Sequence, residues 1–187
     1  MRTVIDHYVK AASAVTISAL DISKAFDRID QFALSHLLIE RRLPKNFISI
    51  LHDWFCKCYV CVRWGGTYSY FFQIKAGVRQ GGRLSPTLFA IYMDVLINRL
   101  RNCGVGCRLL DVFYGCLLYA DDIVLLIHSV NAMRVMLEVC EKFAVDFDIK
   151  FYSSKSVAMR VDRSAHSLTA LLLPPVPSIA RPLTLPS

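Results

Sequence analysis

The sequence predicts an α+β domain on three observations. Val15 to Leu20 is a short apolar run rich in β-branched residues and reads as a buried strand. Tyr59 to Lys75 and Leu117 to Ile127 read as hairpins. Between and after them lie segments whose apolar residues recur at helical spacing. With 187 residues the chain is one domain or part of one and can bury a sizeable core. An apolar fraction of 55% against 20% charged residues excludes a disordered chain.

The first strand delivers Asp21 at its end. Asp30 is then placed to cap a helix in which Leu34, Leu37 and Leu38 share a face, stopping before Pro44. A second helix, Lys45 to Lys57, carries Phe47, Ile48, Leu51, Trp54 and Phe55 at helical spacing. Gly65-Gly66, between Tyr59–Trp64 and Thr67–Lys75, is a hairpin signal. Ser85 and Pro86 supply an N-cap and a first-turn proline to the next helix. That helix buries Leu88, Phe89, Tyr92, Val95 and Leu96, and ends with Arg99 and Arg101 before Gly104.

Leu117 to Ile127 is too apolar, and too interrupted by Asp121-Asp122, for a surface helix, so the acids are expected at a hairpin tip. Asn131 to Val145 is a further helix with Met133, Met136, Val139, Cys140 and Phe143 inward. From Asp162 the composition turns proline-rich and nearly uncharged. The chain thus divides into a core, 1–161, and a flexible tail, 162–187.

A net charge of +7 favours a polyanionic partner. The N-terminus lacks a signal-peptide core and no run is long enough to span a bilayer, so an intracellular chain in nucleus or cytoplasm is expected, with no membrane partner. Seven cysteines, an odd number, fit a reducing compartment. Cys56, Cys58 and Cys61, with Cys103 and Cys107, raise the question of zinc, but a CxC spacing without finger-spaced histidines is not a common zinc pattern. With Cys58 and Cys61 in a strand, buried structural thiols are the better reading.

The chemistry starts from LLYADDIVLL, Leu117 to Leu126, where two adjacent acids stand in apolar surroundings. A buried, unpaired carboxylate is costly or becomes protonated. The economical reason to cluster carboxylates at strand ends is a hard divalent cation such as Mg²⁺. Asp21, Asp121 and Asp122 would supply three carboxylates. The bland alternative is an exposed turn, for which Asp is well suited.

The same chain carries ALDISKAFDRID (Ala19 to Asp30) and GVRQGGRLSP (Gly77 to Pro86) ahead of YADD (Tyr119 to Asp122). In this order the blocks resemble palm motifs A, B and C of reverse transcriptases, specifically those of non-LTR (LINE-type) retrotransposons. FDIKFYSSKS (Phe147 to Ser156) resembles motif D more loosely. The resemblance covers about Ala14 to Met159. It implies a polymerase palm, an antiparallel sheet with helices packed on one face. It also implies an RNA-directed DNA polymerase taking RNA template, DNA primer and deoxynucleoside triphosphates, with two Mg²⁺ ions that Mn²⁺ can replace.

Residue by residue, the resemblance makes Asp21 and Asp121 the metal-binding aspartates, Asp122 a third acid beside them, and the Ile22 carbonyl a further ligand. Phe26 falls where an aromatic closes against the sugar 2′ position, although a ring there is as readily plain core. Gln80 and Gly81 border the incoming nucleotide, and Lys155 matches a proton donor to pyrophosphate. Arg83 and Tyr152 depart from the family pattern, which has an apolar residue or proline and an asparagine there. Basic fingers motifs before Asp21, and a primer grip and thumb after motif D, are not recognisable. The expectation is therefore a fragment lacking most of fingers and thumb, inactive or weak alone. A non-catalytic nucleic-acid-binding remnant of a transposable element is the alternative.

Overall fold

The computed structural model describes residues 1–162 and 169–171. Its centre is a five-stranded antiparallel sheet in the order β11-β10-β1-β9-β8. These strands are β1 (Val15–Ile22), β8 (Cys116–Tyr119), β9 (Asp122–Ile127), β10 (Phe151–Val161) and β11 (Thr169–Leu171). Strand β1, read from its β-branched run, is central and pairs with β9 on one side and β10 on the other. Its side chains alternate. Ser18, Leu20 and Ile22 are buried, and Asp21 lies on the other face, half-buried.

The buried face is covered by helices. α2 (Gln31–Glu40), α3 (Lys45–Cys56), α4 (Ser85–Asn102) and α5 (Val130–Asp146) pack with it into one core. A ten-residue helix such as α2 is marginal alone. Asp30 Oδ1 accepts from the N–H groups of Phe32 (2.7 Å) and Ala33 (3.1 Å), as the cap predicted, worth about 1 kcal/mol. Burial of Leu34 and Leu38 stabilises it more, by roughly 1.5–3 kcal/mol each. In α4, Leu88, Phe89, Tyr92 and Leu96 are buried as expected, joined by Met93 and Leu100. In α5, Met136, Cys140 and Phe143 are buried, and Ser129 Oγ caps the helix by accepting from Ala132 N–H at 3.2 Å.

Tyr92 ties these layers together. Its hydroxyl donates to Phe147 O (2.8 Å) and accepts from Asp30 N–H (3.3 Å), and its ring meets Phe143 and Phe147 edge-on. Burial pushes its phenol up to about 12, so the group stays neutral. Two ion pairs brace the helices from outside, Arg41 with Asp94 and Arg99 with Asp146.

The structure corrects several expectations. Ser85 is the first residue of α4, not its cap; its buried hydroxyl donates instead to Arg79 O at 2.5 Å and holds the preceding turn. Cys58 and Cys61 flank β2 (Tyr59–Val60) rather than lying in a strand, and they are half-buried, with Cys56 exposed. The hairpin that carries them stands off the core, so these thiols have no interior to enter. Cys107 and Cys140 are buried and Cys116 packs half-buried against the core, and burial raises all three above the usual thiol range. The remaining sulfur, Cys103, donates to Leu100 O at 3.0 Å.

The helices do not all lie on one face. An unanticipated α1 (Arg2–Lys10) covers part of the opposite face, where Val4, Val15, Cys107 and Leu126 form a second small core. Tyr8 anchors it by exchanging hydrogen bonds with the Arg108 backbone, 2.9 and 3.1 Å. A tight ribbon, β6 (Arg108–Leu109) and β7 (Val112–Phe113), adjoins this core.

The predicted hairpin around Gly65-Gly66 forms, but as two ribbons. β3 (Arg63–Trp64) pairs with β4 (Thr67–Tyr68), and β2 pairs with β5 (Phe72–Gln73). Between them the register slips by one residue, and Ser69 Oγ fills the gap by accepting from Val62 N–H (2.9 Å) and donating to Tyr70 O (2.9 Å). Most of the segment expected to be a tail lies outside the described residues; within it, Thr169–Leu171 pairs with Ala158–Arg160 of β10. Among the described residues no helix is long and apolar enough to cross a membrane.

Candidate active site

Asp21 sits one residue before the end of β1, where the strand's odd-numbered side chains face away from α2–α5. The β9 register sets Asp122 directly opposite it, and Tyr119 lies across from Asp122 in turn. Asp121 occupies the two-residue turn with Ala120, whose φ of +51° lets the chain reverse so tightly. The acids therefore gather at one end of the sheet, on the face α1 leaves open. Asp21 is half-buried, Asp121 also, and Asp122 exposed. This explains the puzzle of LLYADDIVLL: Ile123, Leu125 and Ile127 point into the core while the acids stay at the rim.

Lys155 joins Asp21 through an irregularity in β10. Ala19 pairs with Val157 but Asp21 with Tyr152, so Ser153 to Ser156 bulge opposite Leu20 alone. Ser156, buried, closes the bulge: its Oγ accepts from Asp21 N–H at 3.3 Å and donates to Tyr152 O at 2.7 Å. The bulge carries Lys155 Nζ to 3.7 Å from Asp21 Oδ2 and 4.9 Å from the centre of the Tyr152 ring. Tyr152, the residue that departs from the motif D pattern, is thus a surface on which this lysine rests.

Next to the acids, the motif A and motif B turns are knitted together. Gly77 N–H donates to Ile29 O (2.7 Å) and Val78 N–H to Phe26 O (2.8 Å). Gln31 Nε2 reaches Gly77 O at 2.9 Å, and Gln80 Nε2 reaches Asp27 Oδ1 at 3.0 Å. Gly77 has φ +84°, and a Cβ there would lie 2.8 Å from the Asp27 and Phe26 backbone. Only glycine fits so close an approach. Phe26, in a single 3₁₀ turn (Ala25–Asp27), stacks on Phe89 with centroids 4.9 Å apart and is half-buried. Gly81 has φ +75° with open space beside it. Ile22 is buried at the strand end, and the next N–H, that of Ser23, donates to Lys150 O at 2.7 Å. Arg83 is exposed, so its charge is tolerated.

The structure therefore brings Asp21 together with Asp122 and Lys155, and Gln80 together with the turn bearing Phe26. Among the described residues no three acidic, histidine or cysteine side chains converge closely enough to hold a metal, and Asp121 remains on its turn. Lys155, 3.7 Å from Asp21 Oδ2, offsets part of the acids' mutual repulsion. The donor set, hard carboxylate oxygens at a water-accessible rim, fits a hard divalent cation. Sequence reasoning missed Ser156, Asp27 and Gln31; only the G-V-R-Q-G-G spacing hinted at a constrained turn.

An antiparallel sheet with acids on adjacent central strands at its open face is the arrangement of a polymerase palm. The chain belongs to the reverse transcriptase (RNA-dependent DNA polymerase) family, whose model matches residues 1–171. It is 28% identical over 152 residues to the Pol polyprotein of type-2 retrotransposable element R2DM of Drosophila melanogaster, covering 81% of this chain and 14% of that protein. It is 29% identical over 142 residues to the RNA-directed DNA polymerase from mobile element jockey of Drosophila funebris, covering 73% of this chain and 15% of that one. Such relatives mark it as a reverse transcriptase domain of the non-LTR retrotransposon kind, spanning about one seventh of their length. In fold it resembles Candida tropicalis telomerase, solved with a fragment of telomeric RNA: TM-score 0.68, 14% identity, 88% of this chain and 28% of that chain.

Proposed function

We propose that this chain is the nucleotidyl-transfer palm of an RNA-directed DNA polymerase, extending a DNA primer on an RNA template from deoxynucleoside triphosphates. The observation that carries this reading is the register that puts Asp21 opposite Asp122 on the open face, with Lys155 at 3.7 Å. Asp21, Asp121 and Asp122, with the Ile22 carbonyl, would hold two Mg²⁺ ions. A pair of such ions supplies activation of the primer 3′-hydroxyl and charge stabilisation of the leaving pyrophosphate.

The chain's own residues do the rest. Lys155 sits beside the acids and donates its proton toward the leaving pyrophosphate. Phe26, fixed by Phe89, presents a ring edge where a 2′-hydroxyl would crowd it, favouring deoxynucleotides. Gln80, steadied by Asp27, and the open backbone at Gly81 line the approach of nucleotide and template base.

The test is nucleotide addition on a poly(rA)/oligo(dT) template–primer. Weak Mg²⁺-dependent addition of dTTP in preference to UTP, lost in Asp21→Asn, is expected. Addition that survives Asp21→Asn, or that uses UTP equally, overturns the reading. Template–primer binding with no addition under any metal leaves the non-catalytic remnant in its place.

A further inference from the structure

The hairpin between α3 and α4 carries a chemistry that the polymerase reading does not use. From Trp54 to Met93 the sequence holds no Asp or Glu but five cations, Lys57, Arg63, Lys75, Arg79 and Arg83. The hairpin within it, Tyr59 to Gln73, is dense in rings, and the fold leaves these outside. Trp64 is 85% exposed, Tyr68 62%, Tyr70 96% and Phe71 73%. A small ribbon that holds four large rings in water is an interaction surface rather than a core.

Its geometry is fixed despite that exposure. The Arg63 guanidinium lies 5.6 Å from the centre of the cross-strand Tyr68 ring. Ser69 stitches the register slip, and Gln73 Nε2 donates to Cys56 O at 2.8 Å to tie the base of the hairpin to α3. A cavity of about 360 Å³ lies between that base and the proposed site, lined by Trp54, Phe72, Asp27, Gly77 and Gln80 among others. The ribbon is thus continuous with the clamped turns that bear Asp27, Gly77 and Gln80.

We infer that this hairpin is a stacking platform for single-stranded nucleic acid. Its rings take unpaired bases on their faces, and Arg63 with Lys75 takes the phosphates between them. The acid-free stretch selects a polyanion, and exposed rings select unpaired bases, because a duplex hides its base faces while every single-stranded base offers one. A neutral protein partner would leave the cations without counter-charges. The platform goes beyond the polymerase reading, since it needs neither metal nor nucleotide.

The experiment is an anisotropy titration of the chain with short labelled oligo(U) and oligo(dT), in EDTA so that no metal occupies the acids. Trp64→Ala is expected to weaken binding about fivefold or more, while Trp64→Phe, which keeps a ring, stays within about twofold of wild type. Arg63→Ala is expected to make the salt dependence shallower by about 0.7 in log–log slope, which Trp64→Ala leaves alone. Equal loss with oligo(U) and oligo(dT) makes the platform indifferent to the sugar, and a larger loss with one names its strand. Unchanged affinity in Trp64→Ala, or equal losses in Trp64→Ala and Trp64→Phe, overturns the inference. So does Trp64-dependent sedimentation with phosphatidylserine vesicles alongside Trp64-independent oligo(U) binding, which would make the ribbon a membrane element. Trp64-dependent binding alongside addition that survives Asp21→Asn keeps the platform and defeats the polymerase reading; Trp64-independent binding alongside addition lost in Asp21→Asn does the reverse.

Discussion

Asp21 and Asp122 stand directly opposite each other on neighbouring strands, and among the described residues Lys155 is the cation that lies within 4 Å of Asp21. Like charges opposite one another in a ladder repel, by roughly 0.2–1 kcal/mol. Asp122→Asn is therefore expected to match or slightly exceed wild-type stability in EDTA. With the proposed metal site, Mg²⁺ is expected to reverse the order: at ten times its Kd it would stabilise wild type by about 1.4 kcal/mol and the variant much less. Thermal melts with and without Mg²⁺ check this, and an equal Mg²⁺ shift in both proteins would refute it.

The motif A–motif B clamp makes two neighbouring glycines unequal. Gly77→Ala meets both a left-handed backbone and contacts at 2.8 Å, so a loss of about 1–3 kcal/mol or more is expected. Gly81→Ala meets the backbone term alone, since its surroundings are open, and costs about 1 kcal/mol. Urea midpoints of the two variants give the comparison. Equal losses would mean that the clamp is not rigid.

Ser156 holds the bulge that presents Lys155. Ser156→Ala leaves Asp21 N–H and Tyr152 O without their partner and is expected to cost about 1–3 kcal/mol. Its coupling to Lys155 is the sharper readout. In a double-mutant cycle with Lys155→Ala on nucleotide addition, the two changes should be less than additive. Strict additivity would separate the bulge from the lysine's placement.

Alkali tests the interior. Tyr92 is pushed up to about 12, Cys107 to about 11 and Cys116 to about 12, all by burial. Each group holds its proton in the folded chain at a pH where the unfolded chain has lost it. The stability this gives is whole below the unfolded values and declines as pH rises through the folded ones, from about 9 to about 12. Tyr92→Phe is expected to flatten the upper part of that decline while lowering stability near neutrality. Urea unfolding across this range measures it, and an unchanged slope in Tyr92→Phe would count against the assignment.

The sequence was most legible where side-chain pattern and backbone demand agreed. The β-branched run of β1, the Asp30 cap and the apolar arms of the β8–β9 hairpin each carry local signals that tertiary packing reinforces. Less legible were features set by distant partners. The β10 bulge arises from pairing with β1 more than a hundred residues away, so nothing within YSSKS announces it. The β6–β7 turn uses Leu110 and Asp111, both at positive φ, instead of the glycine or asparagine that would have marked it. Ser85 looked like a cap because Ser-Pro is a good helix start, but a buried acceptor at Arg79 O took its hydroxyl. At the site the acids were found by motif, whereas Ser156, Asp27 and Gln31 act through contacts between motifs.

The central position of β1 also bears on how the molecule comes into being. Asp21 is made well before both neighbours of its strand, β9 and β10, which lie far along the chain from it. Long-range pairing of this kind is slow, because loop closure precedes the contacts that reward it. Until β9 arrives the apolar strand waits unpaired, a hazard for aggregation during synthesis. The helices between can gather first, and the meeting of Asp21 with Asp122 belongs to the last stage of folding. A nascent chain that stalls before β9 cannot set Asp21 opposite Asp122 at all.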